Sequence, residues 1–433
     1  MESAPRQALR VHSEQPQRDP ARLETSPTDS EPERVAAASQ ARRSPTVATA
    51  TAFVVLGVII GTWASRIPAV RRSAGLDNFE LGFALLAIAA GAVLAMPLVG
   101  RLVRPFGSGR LTAVGVAMCC LALPLASFAG GFATLALALL CLGASVGTLD
   151  VAMNAHAVAV EFARKRSLLG RFHAGYSVGA LAGAGLGALA AAASIGARAN
   201  FIAVAGACAV VCAALMRKRL LPRGETAGPR VRSKLRGVSR QLLLIGGLAF
   251  ASLLAEGAAT DWSAVYLQGS VKAGMAVGAL GYAAFSLMMA AGRLFSDRAT
   301  ERFGAVAVVR SGGLLAAGGL ALALISGQAA TGVAGFALLG AGLAPIIPAV
   351  YRAAANTPGA APGVGISLGA TAGYLGFLLG PPAIGTASRL LGLRGALGIV
   401  VLAALVVAAF ARATAPGSAP VAGGPAERSC RVL

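Results

Sequence analysis

Charge is scarce in this chain, and acidic charge scarcer still: 13% of its 433 residues are charged, and only 17 are Asp or Glu. A soluble domain of this length needs ionised side chains spread along the chain to cover its surface, yet residues 111–149 contain none. A soluble globular fold is thereby excluded. The six cysteines show no metal-ligand spacing, and Cys119, Cys120, Cys141, Cys208 and Cys212 fall inside apolar stretches, where they read as small packing residues. The last four residues have the outline of a prenylation box, but Arg431 is not aliphatic, so the match reads as chance. The chain has no phosphate-cradling P-loop, no HExxH and no GxSxG, and no nucleophile–base pair stands out. ATP hydrolysis and enzyme chemistry are therefore not expected, nor is any metal or cofactor. No short apolar stretch near the start suggests a signal peptide.

What is present is hydrophobic: 56% apolar residues, a mean hydropathy of +0.72 and 56 glycines. About 20 apolar residues cross the roughly 30 Å hydrocarbon layer. Twelve such spans can be read, at 46–66, 79–100, 111–129, 131–157, 171–194, 198–216, 241–263, 274–294, 305–326, 329–351, 362–388 and 393–412. The net charge of +21 lies in the connections and not on a soluble basic face, so nucleic acid is not a partner. Residues 1–45 are rich in Pro, Ser, Glu and Arg and read as a disordered tail; 217–240 is a basic linker between halves at 46–216 and 241–413, and 414–433 a second tail. Placing the termini and the central linker on one face collects 31 of the 38 basic residues there, against Arg66, Arg71, Arg72, Arg198, Lys272, Arg389 and Arg394 on the other. The positive-inside rule then puts both termini in the cytoplasm. The Ala/Gly/Arg-rich composition points to a bacterial inner membrane.

The halves repeat one another. Arg104-Pro-Phe-Gly107 between spans 2 and 3 is followed 197 residues later by Glu301-Arg-Phe-Gly304 between spans 8 and 9, and span 5 carries Gly175, Gly179, Gly183 and Gly187 at every fourth position. Gly376 and Gly380 in span 11 stand 197 residues beyond Gly179 and Gly183, and Trp63 and Trp262 close spans 1 and 7. Parallel repeats of six helices mark a family of secondary transporters, and small residues every four positions form a packing seam.

These features together resemble the major facilitator superfamily, which implies an all-α fold of twelve transmembrane helices in two pseudo-symmetric six-helix bundles, usually monomeric. Gly100-Arg-Leu-Val-Arg-Pro-Phe-Gly107 is similar to that superfamily's Gly-x-x-x-Asp-Arg-x-Gly signature, with Arg104 where the acid usually stands. The resemblance implies a gate built from Gly100, Arg104, Gly107 and, in the second copy, Arg293, Glu301, Arg302 and Gly304. Gly147-Thr-Leu-Asp150-Val-Ala-Met-Asn154 and the following His173 resemble the fucose permease branch, which implies that Asp150 and His173 line a central cavity and that the acid serves proton-coupled uptake. Span 1 lacks the acid that branch carries there. Span 5 has no proline and span 4 no arginine, against the antiporter pattern.

An ionisable side chain at bilayer depth must face a cavity or a partner. Asp150 and Asn154 share a helix face; Asp150 reads as a proton or substrate site, with pairing to a neighbouring helix as the alternative. Glu161 reads as structural, paired with Arg164 or Arg166. Ser252, Glu256, Thr260 and Ser263 fall on one line of span 7, which favours Glu256 and Thr260 as cavity residues. Asp261 reads as an interfacial anchor; Trp63 and Trp262 read either as anchors or as stacking caps over a ring. His173 is a proton shuttle or an ordinary interfacial residue, Tyr176 is grouped with it, and His156 is structural. Pro345 and Pro348 are expected to bend span 10. The sum is a secondary transporter importing a small, sugar-like solute with protons. Export of an amphipathic compound and a non-transporting membrane sensor or scaffold are the alternatives.

Overall fold

A computed structural model describes residues 31–165, 168–216, 239–357 and 362–415. Most of the three connecting segments expected from composition, at 1–30, 217–238 and 416–433, lies outside the described residues.

The first half comprises α1 (Glu31–Ser73), α2 (Asn78–Phe106), α3 (Ser108–Leu125), α4 (Phe132–Arg164), α5 (Leu169–Ala192) and α6 (Ala197–Met216). The second comprises α7 (Arg240–Gly269), α8 (Met275–Phe303), α9 (Ala305–Ser326), α10 (Ala329–Leu343), α11 (Ile346–Ala355), α12 (Pro362–Ala396) and α13 (Gly398–Ala409). Residues 44–433 form one compact unit; within the preceding one, helix begins at Glu31, ahead of the expected start at 46, in an Ala-rich run with acids first and bases last.

Among the described residues, ten helices are individually long and apolar enough to cross a membrane, counting α10 and α11 as the single stretch Ala329–Ala355. That stretch is interrupted at Ala344-Pro345, where proline withholds a backbone N–H. The last two expected spans are drawn differently. α12 is divided at Gly392 (φ 64, ψ 165), between the expected spans, and α13 is only 12 residues long and bends 71° from its predecessor.

The repeat seen in the sequence is a repeat of contacts. Gly107 (φ 82, ψ 145) and Gly304 (φ 80, ψ 151) occupy the same positive-φ conformation, and each makes a one-residue turn between long helices. Each also donates its N–H to a carbonyl four residues back, Val103 and Thr300, at 2.9 Å. A Cβ at Gly143 would overlap the carbonyl of Ile88, and one at Gly340 the carbonyl of Phe285; both pairs are 197 residues apart. In the same way Gly179 and Gly183 of α5 touch the carbonyls of Val54 and Val58 on α1, while Gly376 of α12 touches that of Phe250 on α7. The ladder is a backbone-to-backbone seam. At Gly175 and Gly380 the fit is looser, since a Cβ would meet side chains at 3.4 and 3.5 Å.

The halves meet along α2 with α12 and α5 with α8. At the end of the bundle carrying Asp77 they are locked together. A Cβ on Gly82 would stand 3.1 Å from the Cα of Gly385. Arg389 pairs with Asp77 at 3.4 Å and lies 3.5 Å above the Phe79 ring, and Arg72 donates to Gln268 at 2.9 Å. At the opposite end Arg104, Glu301 and Arg302 are exposed; Arg302 lies over the neighbouring Phe303 ring at 5.5 Å, and among the described residues none of the three makes an ion pair.

Six of the seven basic residues assigned to the minority face are held by protein groups. Arg66 donates to the carbonyl of Ile195 at 2.5 Å, Arg198 covers the Phe128 ring at 4.4 Å, Arg394 bonds the carbonyls of Leu324 and Ile325, and Arg71 bonds Asn78. Arg72 and Arg389 complete the set through the contacts above. Each therefore has a structural reason to sit on the face with few cations.

Candidate functional site

A cavity of about 300 Å³ lies between the halves, walled by α1, α2, α4 and α5 on one side and by α7, α8 and α12 on the other. The two walls differ chemically. The first half contributes mostly apolar side chains, among them Leu56, Ile60, Leu85, Ile88, Met96 and Met153. The second half contributes Glu256, Thr260, Asp261, Tyr282, Ser286 and Arg293, with Tyr374 from α12. Asp150 and His173 are the ionisable groups of the apolar side.

Asp150 Oδ1 accepts a hydrogen bond from Asn154 Nδ2 at 3.0 Å, and its Oδ2 accepts one from the Tyr374 hydroxyl at 3.3 Å. Asn154 sits one turn along the same helix, where i and i+4 side chains meet; it also donates to the Asp150 carbonyl at 2.9 Å and lies behind the cavity lining. The Tyr374 bond crosses between halves. Both donors are neutral, so they orient the carboxyl without cancelling its charge.

Glu256 is answered differently. Arg293 Nη2 lies 3.4 Å from Glu256 Oε1, with side-chain exposures of 31% and 19%. Thr260 turns its hydroxyl back onto the Glu256 carbonyl at 3.0 Å. Removing the guanidinium leaves an uncompensated carboxylate, a loss of roughly 3–5 kcal/mol when the pair is fully buried and of about 2 kcal/mol where cavity water reaches it. Arg293→Met should therefore lower thermal stability in detergent, and adding Glu256→Gln should restore most of it. A double variant no more stable than the single would show that the pair does not act as a unit.

His173 lines the cavity and stands edge-on to Phe53, ring centroids 5.1 Å apart; Tyr176 lines it one turn further along α5. Trp63 reaches the lining while only 1% exposed.

The profile of the major facilitator superfamily matches residues 9–166. An uncharacterized MFS-type transporter of Yersinia pestis is 35% identical over 370 residues, covering 86% of this chain and 96% of that protein. The chain belongs to the major facilitator superfamily. It is accordingly a multi-pass membrane transporter and not an enzyme. Among solved structures, the nucleoside transporter NupG superposes with a TM-score of 0.68 at 12% identity, covering 84% of this chain and 98% of that one. The E. coli fucose:proton symporter FucP gives 0.57 at 16% identity, covering 86% and 98%. At such identities both describe the shared fold.

Within this superfamily fold, Trp63, Asp150, His173, Tyr176, Glu256 and Thr260 are brought to one cavity, with Asn154 behind Asp150. Three expectations need correction. Trp262 is neither an interfacial anchor nor a stacking cap: it is fully buried and outside the cavity lining. Asp261 is no anchor either, because it lines the cavity. One residue step on a helix turns a side chain by about 100°, enough to point Asp261 into the cavity and Trp262 into the packed interior. Arg293, expected at the gate, faces the cavity instead, because α8 continues nearly three turns beyond it to Phe303. Glu161 accepts from the N–H groups of Leu168 and Leu169 at 2.5 and 2.7 Å, capping α5, and His156 is buried against Ser108 at 2.9 Å.

Tyr282, Tyr374, Ser177 and Ser286 went unread in the sequence. A usable signal exists for the tyrosines: three of the chain's five line the cavity, as expected for a hydroxyl that seeks a polar partner within an apolar span.

Proposed function

We propose that this superfamily member carries a small polar solute across the bacterial inner membrane by alternating access, coupled to protons through Asp150 and Glu256. The observation that carries this reading is a cavity lined by both halves, locked at one end by contacts between them and holding ionisable side chains from α4 and α7. Rocking of one half against the other would open the locked end and close the opposite one. Charge bias supports cytoplasmic termini, and with them a cytoplasmic unlocked end; in that orientation the arrangement described is closed to the outside.

The coupling is tested in proteoliposomes holding a pH-sensitive dye, challenged with a panel of sugars, polyols, amines and organic acids. Proton entry should accompany one class of solute and be abolished in Asp150→Asn with Glu256→Gln; entry unchanged in the double variant would sink the coupling. Export of an amphipathic compound is the second reading, favoured by the apolar wall of Leu56, Ile60, Leu85 and Ile88. Comparing inside-out with right-side-out vesicles separates the two directions.

The lock gives a further expectation. A half-exposed ion pair is worth up to about 1 kcal/mol and a cation–π contact about 0.5–1 kcal/mol. Arg389→Ala should therefore raise outside labelling of a cysteine placed at Ala89 by roughly tenfold in a background lacking the native thiols. Unchanged labelling would mean that this pair does not hold the closed form.

A further inference from the structure

We propose that the solute carries a protonated amine on a compact apolar body, and that Asp261 receives the ammonium. The proposal rests on the transport reading above and names its substrate class.

The argument is one of charge accounting inside the cavity. Its lining contains three carboxylates, Asp150, Glu256 and Asp261, against one guanidinium, Arg293, and one imidazole, His173. Arg293 is taken by Glu256 at 3.4 Å. Asp150 is held by two neutral donors, Asn154 and Tyr374, at 3.0 and 3.3 Å. Among the described residues Asp261 has neither a hydrogen bond nor an ion pair. A carboxylate at bilayer depth without a partner is costly, and it is neutralised either by a proton or by a cation that enters the cavity.

The surroundings select among ligands. An anion meets three carboxylates and a single arginine already engaged. A neutral polyol leaves the Asp261 charge unanswered. An ammonium is a compact point charge that suits one carboxylate, and the same cavity presents the aromatic rings of Trp63, Tyr282 and Phe285, whose faces attract cations. Across from α7, the side chains of Leu56, Ile60, Leu85 and Ile88 offer an apolar surface for the remainder of the molecule. A volume of about 300 Å³ is at the lower end for ligand sites, which keeps that remainder small.

The test uses three matched probes on the purified full-length protein: cyclohexylmethylamine, cyclohexylmethanol and cyclohexanecarboxylate. Binding is read from the fluorescence of the two tryptophans, one in the lining and one next to Asp261, and from the shift in thermal unfolding. The amine should bind at least tenfold more tightly than the alcohol, with the carboxylate weakest. Asp261→Asn should abolish that preference, Asp261→Glu should keep most of it, and Asp297→Asn, at an exposed acid outside the cavity, should leave it unchanged. An amine that binds no better than the alcohol, whether both bind or neither does, overturns the proposal. So does a preference that survives in Asp261→Asn. Proton entry in the dye-loaded proteoliposomes keeps the two readings apart. Entry with the alcohol and not the amine defeats the amine class while transport stands. Asp261-dependent amine binding without proton entry defeats the coupling while the amine class stands.

Discussion

Proteoliposomes containing Asp150→Asn should lose solute-linked proton entry by at least tenfold while retaining exchange of the same solute across the membrane. The substitution is nearly isosteric, and the new amide oxygen can still accept from Asn154 or Tyr374, which hold the native carboxyl at 3.0 and 3.3 Å. What it cannot do is take up and release a proton. Coupling and binding therefore separate: a coupling residue loses accumulation and keeps exchange, whereas a residue needed for packing loses both together with thermal stability. Because the Tyr374 bond joins α4 to α12, the protonation state of Asp150 also bears on how firmly the halves hold each other at mid-depth. Tyr374→Phe should consequently retain coupling with altered turnover. Undiminished proton entry in Asp150→Asn would remove this residue from the coupling scheme.

The second large effect is structural. Gly183→Leu should prevent recovery of a monodisperse folded protein, whereas Gly185→Leu, two residues away on the same helix, should behave as wild type. A Cβ at Gly183 would overlap the carbonyl oxygen of Val58 and stand 2.9 Å from the backbone nitrogen of Thr62. At Gly185 it would meet nothing within 4 Å. Backbone atoms cannot swing aside, so α1 and α5 would have to separate along the seam, at a loss of about 3 kcal/mol or more. The separation would also break the bond from the Thr62 hydroxyl to the Gly183 carbonyl, 3.3 Å long. Equal tolerance at both positions would show that the α1–α5 seam is not a determinant of folding.

These two cases mark what the sequence makes legible. Long uncharged runs and glycine spacing reveal the bundle and its repeat, because in a membrane small residues drive helix contact. The tight pairs Gly143–Ile88 and Gly340–Phe285 obey the same 197-residue offset; Gly147 continues the first by one four-residue step onto Ala92, whereas Gly340 has no glycine four residues away, so only coordinates expose the second. Ionisable groups in apolar spans point to the cavity for Asp150 and Glu256, whereas His173 is reached through the family resemblance. Asp261 reads as an anchor when a single helical line through Glu256 defines the polar face. Asp261 stands about 140° from Glu256 around α7, and a cavity between two bundles wraps more of a helix than one stripe. Arg293 reads as a gate residue because the apolar span ends near 294, whereas α8 runs on to Phe303 and leaves it at cavity depth.

The arginines held at the Asp77 end carry a consequence for biogenesis. If the termini lie in the cytoplasm, as proposed, a guanidinium at this end is delivered to the translocated face against the charge rule that guides insertion, and it gains its partner only when a later segment has arrived. Arg66 waits for Ile195, 129 residues downstream, so that debt closes within the first half. Arg72 waits for Gln268, 196 residues on, and Asp77 for Arg389, 312 residues on. Both of these contacts join the halves, so neither can form until part of the second half has been made. A chain stalled before the final spans would leave Asp77 and Phe79 without Arg389, a feature by which quality control could tell an unfinished transporter from a finished one.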